Sequence, residues 1–357
     1  MGRQQFFHNI KRLFAKKWWL SLPLFFLFPV MVSCGGAGSD VLAGGGIGGS
    51  GNTSVGPITA LGSIFVNGIE FQTTNAAVTM NGVTGDEKEL QVGMVVKVEG
   101  TVNADGKTGK ADRVIFDNNV AGTIDSIDLG KSTMEVMGQT VIVDAQTIIA
   151  GLPGNAPGLA DLAANDIVEI SGLADADGNV MATRITLKTT GRQSAVSGRV
   201  SSLTTTTFKL NSLTVDYSKA TLSKVGAAGL QAGDMVNVTG NLTSSTALLA
   251  DVVEKKSPDY QNNSNARCQG FIVTLYYTGQ SVSGFAIITP LGLQRVELDA
   301  STIYSGGNLV KVGVKVQVEG TIQNNIIQAK KVDLLTSVKM MVSSPAVTNP
   351  SFNGPEK

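Results

Sequence analysis

Few side chains in this chain are equipped for chemistry. The 357 residues include two cysteines, Cys34 and Cys268, and one histidine, His8. His8 lies in a basic N-terminal segment with Arg3, Lys11, Arg12, Lys16 and Lys17. If that segment is removed, Ser-His-Asp and Cys-His catalysis are excluded, and so are zinc sites built on His or Cys clusters. Carboxylates remain. Asp144, Asp216 and Asp299 recur at equivalent places, with Gln72 at the fourth. A facing pair of acids could attack a glycosidic bond, but an aspartate at a strand end is more simply a turn residue accepting backbone N–H groups. Asp175, Asp177 and Asn179 have the spacing that opens a calcium loop, without the later bidentate Glu. A hairpin turn is the favoured reading there. Gly44, Gly46 and Gly49 spell GxGxxG, but no strand precedes them and no helix follows, so no dinucleotide site is expected.

The N-terminus reads as an export signal. Its basic stretch ends at Lys17, and an apolar stretch from Trp18 to Val32 follows, interrupted by Pro23 and Pro29. This is short for a bilayer span and fits a signal peptide. It closes with Met31-Val32-Ser33-Cys34-Gly35, which resembles the lipobox of bacterial lipoproteins. The resemblance implies cleavage between Ser33 and Cys34 and a diacylglycerol thioether on Cys34. Gly35, where an Asp would favour retention, points to the outer membrane. More than one acyl chain gives stable anchoring. A Gly-rich run from Gly35 to Gly51 then reads as a flexible tether. Once Cys34 is lipidated, Cys268 has no partner. It is then a reactive thiol, an intermolecular disulfide or, the favoured reading, a buried inert thiol.

What must position any site is a repeated β unit. Four stretches share one pattern: Gly93–Gly100, Asn165–Gly172, Gly233–Gly240 and Gly313–Gly320. Val96, Val168, Val236 and Val316 align, as do Val98, Ile170, Val238 and Val318. Period-two alternation places them in a core and turns Lys97, Glu169, Asn237 and Gln317 to solvent. Leu90, Leu162, Leu230 and Val310 precede the strands in a polar or single helical turn. Asn103-Ala104-Asp105-Gly106 and Asp175–Asn179 read as hairpin turns. About five short strands in some 70 residues predict small closed antiparallel barrels of the OB type. Units this small are marginal alone, so packing between neighbours is expected to add stability.

Ile58–Gly68 with Leu90–Gly100 resembles the bacterial domain of unknown function 5666. The resemblance covers nearly all of residues 57–335 and is weakest in the fourth copy, whose opening is atypical. That family occurs in exported proteins, often in tandem, with no established activity.

The expected organisation is an all-β chain. It comprises a signal peptide (1–33), a tether (34–56), β repeats at 57–117, 118–189, 190–256 and 257–336, and a disordered tail (337–357). Beyond residue 33 acids outnumber bases by five, which argues against a nucleic-acid partner. That part holds seven Phe, five Tyr and no Trp, thin for a stacking platform. The residues that recur are apolar or Gly, so the repeat signal is structural. The expected function is a non-enzymatic envelope interaction or scaffold protein, held to the membrane by the lipid on Cys34. Its expected partner is an envelope protein or polysaccharide, with no cofactor. The alternatives are a ligand or ion carrier, for glycan or calcium, and a carboxylate-dependent enzyme acting on polysaccharide.

Overall fold

A computed structural model describes residues 51–335, apart from 155, 191–192 and 307–309. Unit 1 holds β1 (Asn52–Ala60), β2 (Ile64–Val66), β3 (Ile69–Gln72), β4 (Ala77–Met80), β5 (Val83–Thr84), β6 (Val95–Val102) and β7 (Thr108–Phe116). Unit 2 holds β8 (Val120–Asp128), β9 (Thr133–Val136), β10 (Gln139–Ile142), β11 (Ile148–Ala150), β12 (Ile167–Ala174) and β13 (Val180–Lys188). Unit 3 holds β14 (Ser194–Arg199), β15 (Thr207–Leu210), β16 (Leu213–Asp216), β17 (Thr221–Ser223), β18 (Met235–Ser244) and β19 (Ala247–Lys256). Unit 4 holds β20 (Asn265–Thr278), β21 (Ser281–Thr289), β22 (Gly292–Glu297), β23 (Ile303–Ser305), β24 (Lys315–Gln323) and β25 (Ile326–Leu335). The tether therefore ends earlier than expected: Asn52 to Gly56 already pair with β6.

Each unit closes into a barrel. In unit 1 the ring runs β1-β2-β3-β7-β6 and back to β1, with β3 parallel to β7 and the other pairs antiparallel. Units 2 and 4 repeat that ring. Unit 3 does so with its first contact reduced to one bridge, Ser201 to Lys209. This is the OB order of strands. A sixth short strand in each unit (β4, β11, β17, β23) lies parallel to the last one. Sequence patterning missed it because three or four residues are too few to show a period.

The alternating valines point inward: Val96, Val98, Val168, Ile170, Val236, Val238, Val316 and Val318 are all buried. Leu90 and Leu162 follow 3-10 turns at Glu87–Glu89 and Leu159–Asp161, and with Leu230 and Val310 they pack onto the cores. The first turn is held by a capping box, Asp86 accepting from the Lys88 N–H and Glu89 reaching back to the Asp86 N–H. The glycines at 100, 172, 240 and 320 do not end their strands. Each sits inside a strand at a register shift. A Cβ there would lie 2.0–2.3 Å from a carbonyl oxygen of the partner strand. These positions are glycine because two backbones touch. Before each of these strands the chain turns through a positive φ, at Gly93, Asn165, Gly233 and Gly313. Asn is the non-glycine residue that best tolerates that region.

The solvent-facing expectation for Lys97, Glu169, Asn237 and Gln317 does not hold. Lys97 is 6% and Glu169 8% exposed, and the other two are half-buried. Neighbouring chain covers the outer face of these strands. In Lys97 the ammonium meets Asp259 O (3.1 Å), Glu99 and the Tyr260 ring.

The units join through their first strands. Only the second half of β1 pairs with β2; along the first half, residues 52–55 run parallel to 265–268 of β20. Likewise Val120 and Ala121 of β8 pair with Val196 and Ala195 of β14. Unit 1 thus shares a sheet with unit 4, and unit 2 with unit 3. Asn67, at φ +53, locks the first pair. Its Nδ2 donates to Ser54 Oγ (3.0 Å), Val55 O (2.9 Å) and Arg267 O (2.8 Å). Gln139 bonds Leu210 O (2.9 Å) and accepts from Asn211 Nδ2 (2.7 Å) across the second. The two pairs meet where Val95, Leu173 and Phe271 form one buried cluster. There the Val95 N–H donates to Ser171 Oγ (2.8 Å), and Thr183 Oγ1 donates to Gly93 O (2.6 Å).

Gly240→Ala, which drives a Cβ against Leu249 O, is expected to destabilise the protein by about 1–3 kcal/mol. Urea unfolding should show a lower midpoint, while Thr243→Ala on the exposed part of the same strand leaves it unchanged.

Candidate functional site

A cavity of about 630 Å³ lies where units 2, 3 and 4 meet. That is within the usual range for a small-molecule site. The connection between units 1 and 2, Asn118-Asn119, lines it. The β12–β13 hairpin turn with Asp177 and Gly178, Ser197 to Ser202 of unit 3, and Ile288 to Pro290 of unit 4 also line it. Val180, Val200, Met235 and Ile288 supply apolar surface. The charged residues of the lining are one acid, Asp177, and one base, Arg199, both exposed.

The connection is fixed by bonds to three units. The Asn118 N–H donates to Asn81 Oδ1 (2.9 Å), Asn119 Oδ1 accepts from the Gly172 N–H (2.7 Å), and Asn119 O accepts from the Ser197 N–H (2.7 Å). Asn118 Oδ1 is buried with no hydrogen-bond partner among the described residues, on a residue only 4% exposed. Such an acceptor costs stability unless something donates to it. Arg199 Nε makes one long contact, to Gly233 O (3.4 Å).

Beside the connection, Lys256 bridges Asp117 (3.0 Å) and Glu254 (2.9 Å), and Lys224 also pairs with Glu254. Burial opposes charge on Lys256, yet Asp117 and Glu254 hold its ammonium above the ordinary value. Burial likewise opposes the Glu254 carboxylate, and Lys224 with Lys256 outweighs it and keeps the group below its ordinary value. This network ties the last strand of unit 3 to the start of the connection.

The residues singled out in the sequence scatter. Ser33 and Cys34 lie outside the described residues. In the β12–β13 turn, Asp175 Oδ1 accepts from the Asp177 and Asn179 N–H groups (both 2.9 Å), and Oδ2 accepts from Asn179 Nδ2 (3.0 Å). The turn consumes the carboxylate, and among the described residues no cluster of three or more His, Cys, Asp or Glu could hold a metal ion. Asp144, Asp216 and Asp299 each accept the backbone N–H two residues on. The hydroxyls and N–H groups of Ser218 and Ser301 lower Asp216 and Asp299 respectively. These are turn aspartates in separate units, not a facing pair.

Cys268 is fully buried in β20, with Tyr260 Oη 3.6 Å from its Sγ. Burial pushes the thiol up to about 11 against the pull of Tyr260 and Lys97. The favoured reading of an inert thiol fits these surroundings. The cleft itself was not foreseen. Asn118, Ser197 and Arg199 carry no motif, and only the meeting of three units assembles them.

These features define a class: four tandem OB-like barrels joined pairwise into one body by strand pairing. The model of the Domain of unknown function (DUF5666) matches at residues 55–114, 121–186, 197–254 and 283–333, more than half of the chain. The chain belongs to that family. In unit 4 the match begins only at 283, within β21, so it leaves out the long β20, the atypical opening noted in the sequence. No curated protein matches. Among solved structures, drosophila Unr CSD456 is similar at 15% identity, over 62% of this chain and 98% of that one, with a TM-score of 0.16. That superposition is too loose to add to the fold described above.

Two outcomes follow from these environments. Glu254→Gln should lower the melting temperature at neutral pH. Because the folded carboxylate titrates below 4.5, the gap from wild type should be full above that pH and shrink as pH falls through the lowered value. Thermal melts between pH 3 and 7 on both proteins check it. Cys268 should stay unreactive toward an aromatic disulfide reagent at pH 8 in the native protein and react once in full after unfolding in urea.

Proposed function

We propose that this is an exported, lipid-anchored binding protein of the cell envelope, acting as an interaction or scaffold module rather than as a catalyst. The anchor reading rests on Met31-Val32-Ser33-Cys34 after a basic and apolar leader. Gly35 after the cysteine favours the outer membrane. The observation that carries the binding reading is the joining of the four units by strand pairing, with a cleft where units 2, 3 and 4 meet. A chain of loosely tethered barrels would space two ends apart; pairing unit 1 with unit 4 instead brings the ends together and holds a shaped surface. Recurrence supports the same view, since what repeats is core Val and touching Gly, while the polar cleft residues Asn118, Ser197 and Arg199 are not part of the repeated pattern.

Expression in a didermic bacterium with labelled palmitate tests the anchor. Label should enter the wild-type protein, which should fractionate with the outer membrane, and Cys34→Ala should lose both. A Cys34→Ala protein that stays labelled would refute lipidation at that residue. Cross-linking in intact cells followed by purification from solubilised envelope should recover a defined partner or glycan; recovery of nothing would remove the scaffold reading.

A further inference from the structure

We infer that unit 4 carries an unfilled copy of the joint between units 1 and 2, and that a second copy of this chain fills it head to tail. The inference goes beyond the reading above and depends on neither the lipid anchor nor the cleft. The occupied joint sets the terms. Its donor side is the turn Gln91-Val92-Gly93 of unit 1, with the positive φ that precedes β6. Its acceptor side is the corner of unit 2 where β11 runs beside β13, with Ile148 opposite Arg184. There Thr183 Oγ1 donates to Gly93 O (2.6 Å). Arg184 donates through Nη1 to Val92 O (2.9 Å) and through Nη2 to Gln91 Oε1 (3.4 Å). A Cβ on Gly93 would lie 2.7 Å from Thr183 O and 3.3 Å from Ile148 Cδ1, so the turn touches the corner directly.

Unit 4 repeats both sides. β23 lies beside β25 with Ile303 opposite Lys331, in the places of Ile148 and Arg184. Units 1 and 3 have Ala77 and Thr221 where units 2 and 4 have Ile. The turn Lys311-Val312-Gly313 stands where unit 1 has Gln91-Val92-Gly93, with φ +85 at Gly313 against +90 at Gly93. It is held the same way: the Gly313 N–H donates to Ile272 O as the Gly93 N–H donates to Ile58 O (both 2.8 Å). What differs is occupancy. Ile148 and Val92 are half-buried, whereas Ile303 is 63% and Val312 48% exposed. A Cβ on Gly313 would meet nothing within 4 Å.

The chemistry of the corner selects its partner. Ile303 offers apolar surface, and Lys331, paired with Asp333 (2.8 Å), offers an ammonium where Arg184 donates to the turn's carbonyl. The matching piece is a positive-φ turn with a Val side chain, and this chain itself displays one at Lys311–Gly313. In unit 3 the equivalent turn has Ala232 and lines the cleft, and in unit 2 it has Ala164. Donor and acceptor are different surfaces, so the contact is heterologous and passes from copy to copy. The equivalence is confined to the corner. Ser171, which accepts from the Val95 N–H in the occupied joint, is replaced by Glu319, already paired with Arg267 (2.9 Å). The contact is therefore small, and its dissociation constant should be about 0.1–1 mM.

The test is sedimentation equilibrium on the mature chain carrying Cys34→Ala, from about 10 µM to about 1 mM, which brackets that constant. The mean mass should rise with concentration past that of a dimer. Ile303→Lys spoils the acceptor and Val312→Lys the donor, and each should weaken association by about tenfold or more. Both positions are exposed, so the melting temperature should not move. Mixed together, the two variants should form a dimer and nothing larger, because each keeps the half that the other lacks. A wild-type chain that stays monomeric, association that survives both substitutions, or a mixture no more associated than its parts would each overturn the inference. Association that appears only after removal of residues 336–357 would overturn it in favour of the chain's own C-terminal segment as occupant. A monomeric wild type whose envelope partner is lost with Ile303→Lys would overturn it in favour of another protein, and would leave the wider binding reading standing.

Discussion

The structure depends on what happens to the first half of each unit's opening strand. A five-stranded barrel of this size closes only partway. The second half of β1 pairs with β2, but its first half has β6 on one side and an open edge on the other. An unpaired edge invites aggregation and leaves backbone donors to water. Here the edge is filled by another unit's opening strand, β1 with β20 and β8 with β14. The same defect, repeated four times, is resolved as two pairs. One pair is parallel and the other antiparallel, so the pairing is not a simple repeat of one interface.

This explains why the unit cores are not independent. Units 2 and 3 share one continuous apolar cluster, and the cluster of unit 4 takes in Val55 from unit 1. It also explains the buried charges. Once barrels abut, positions on the outer face of a strand are inside the assembly, and Lys97 and Glu169 find ionic partners within their own units, Glu99 and Lys188, while the Lys97 ammonium also reaches Asp259 O in the stretch before β20. Such pairs contribute little net stability but are costly to break singly.

The cleft is a by-product of that docking. Asn118 and Asn119 connect unit 1 to unit 2 and are bonded to units 1, 2 and 3. Short residues around them leave a volume that no single barrel could enclose. Function, on this reading, belongs to the assembly of units and not to the repeat. That fits a repeat whose own recurring residues are valines and glycines.

The sequence by itself determined the all-β class, the number of units and the inward valines, because period-two alternation and recurring Gly are local consequences of strand geometry. It also carried the lipobox-like Cys34 and the turn roles of Asp144, Asp216, Asp299 and Asp175, since turns are made by residues close in the chain. Only the tertiary structure decided which unit pairs with which, for residues 52–55 meet 265–268 across some 200 positions with nothing local to announce it. For the same reason the burial of Lys97 and the cleft beside Asn118 were illegible in one dimension. Each arises where surfaces from different units meet, and no spacing along the chain records that contact.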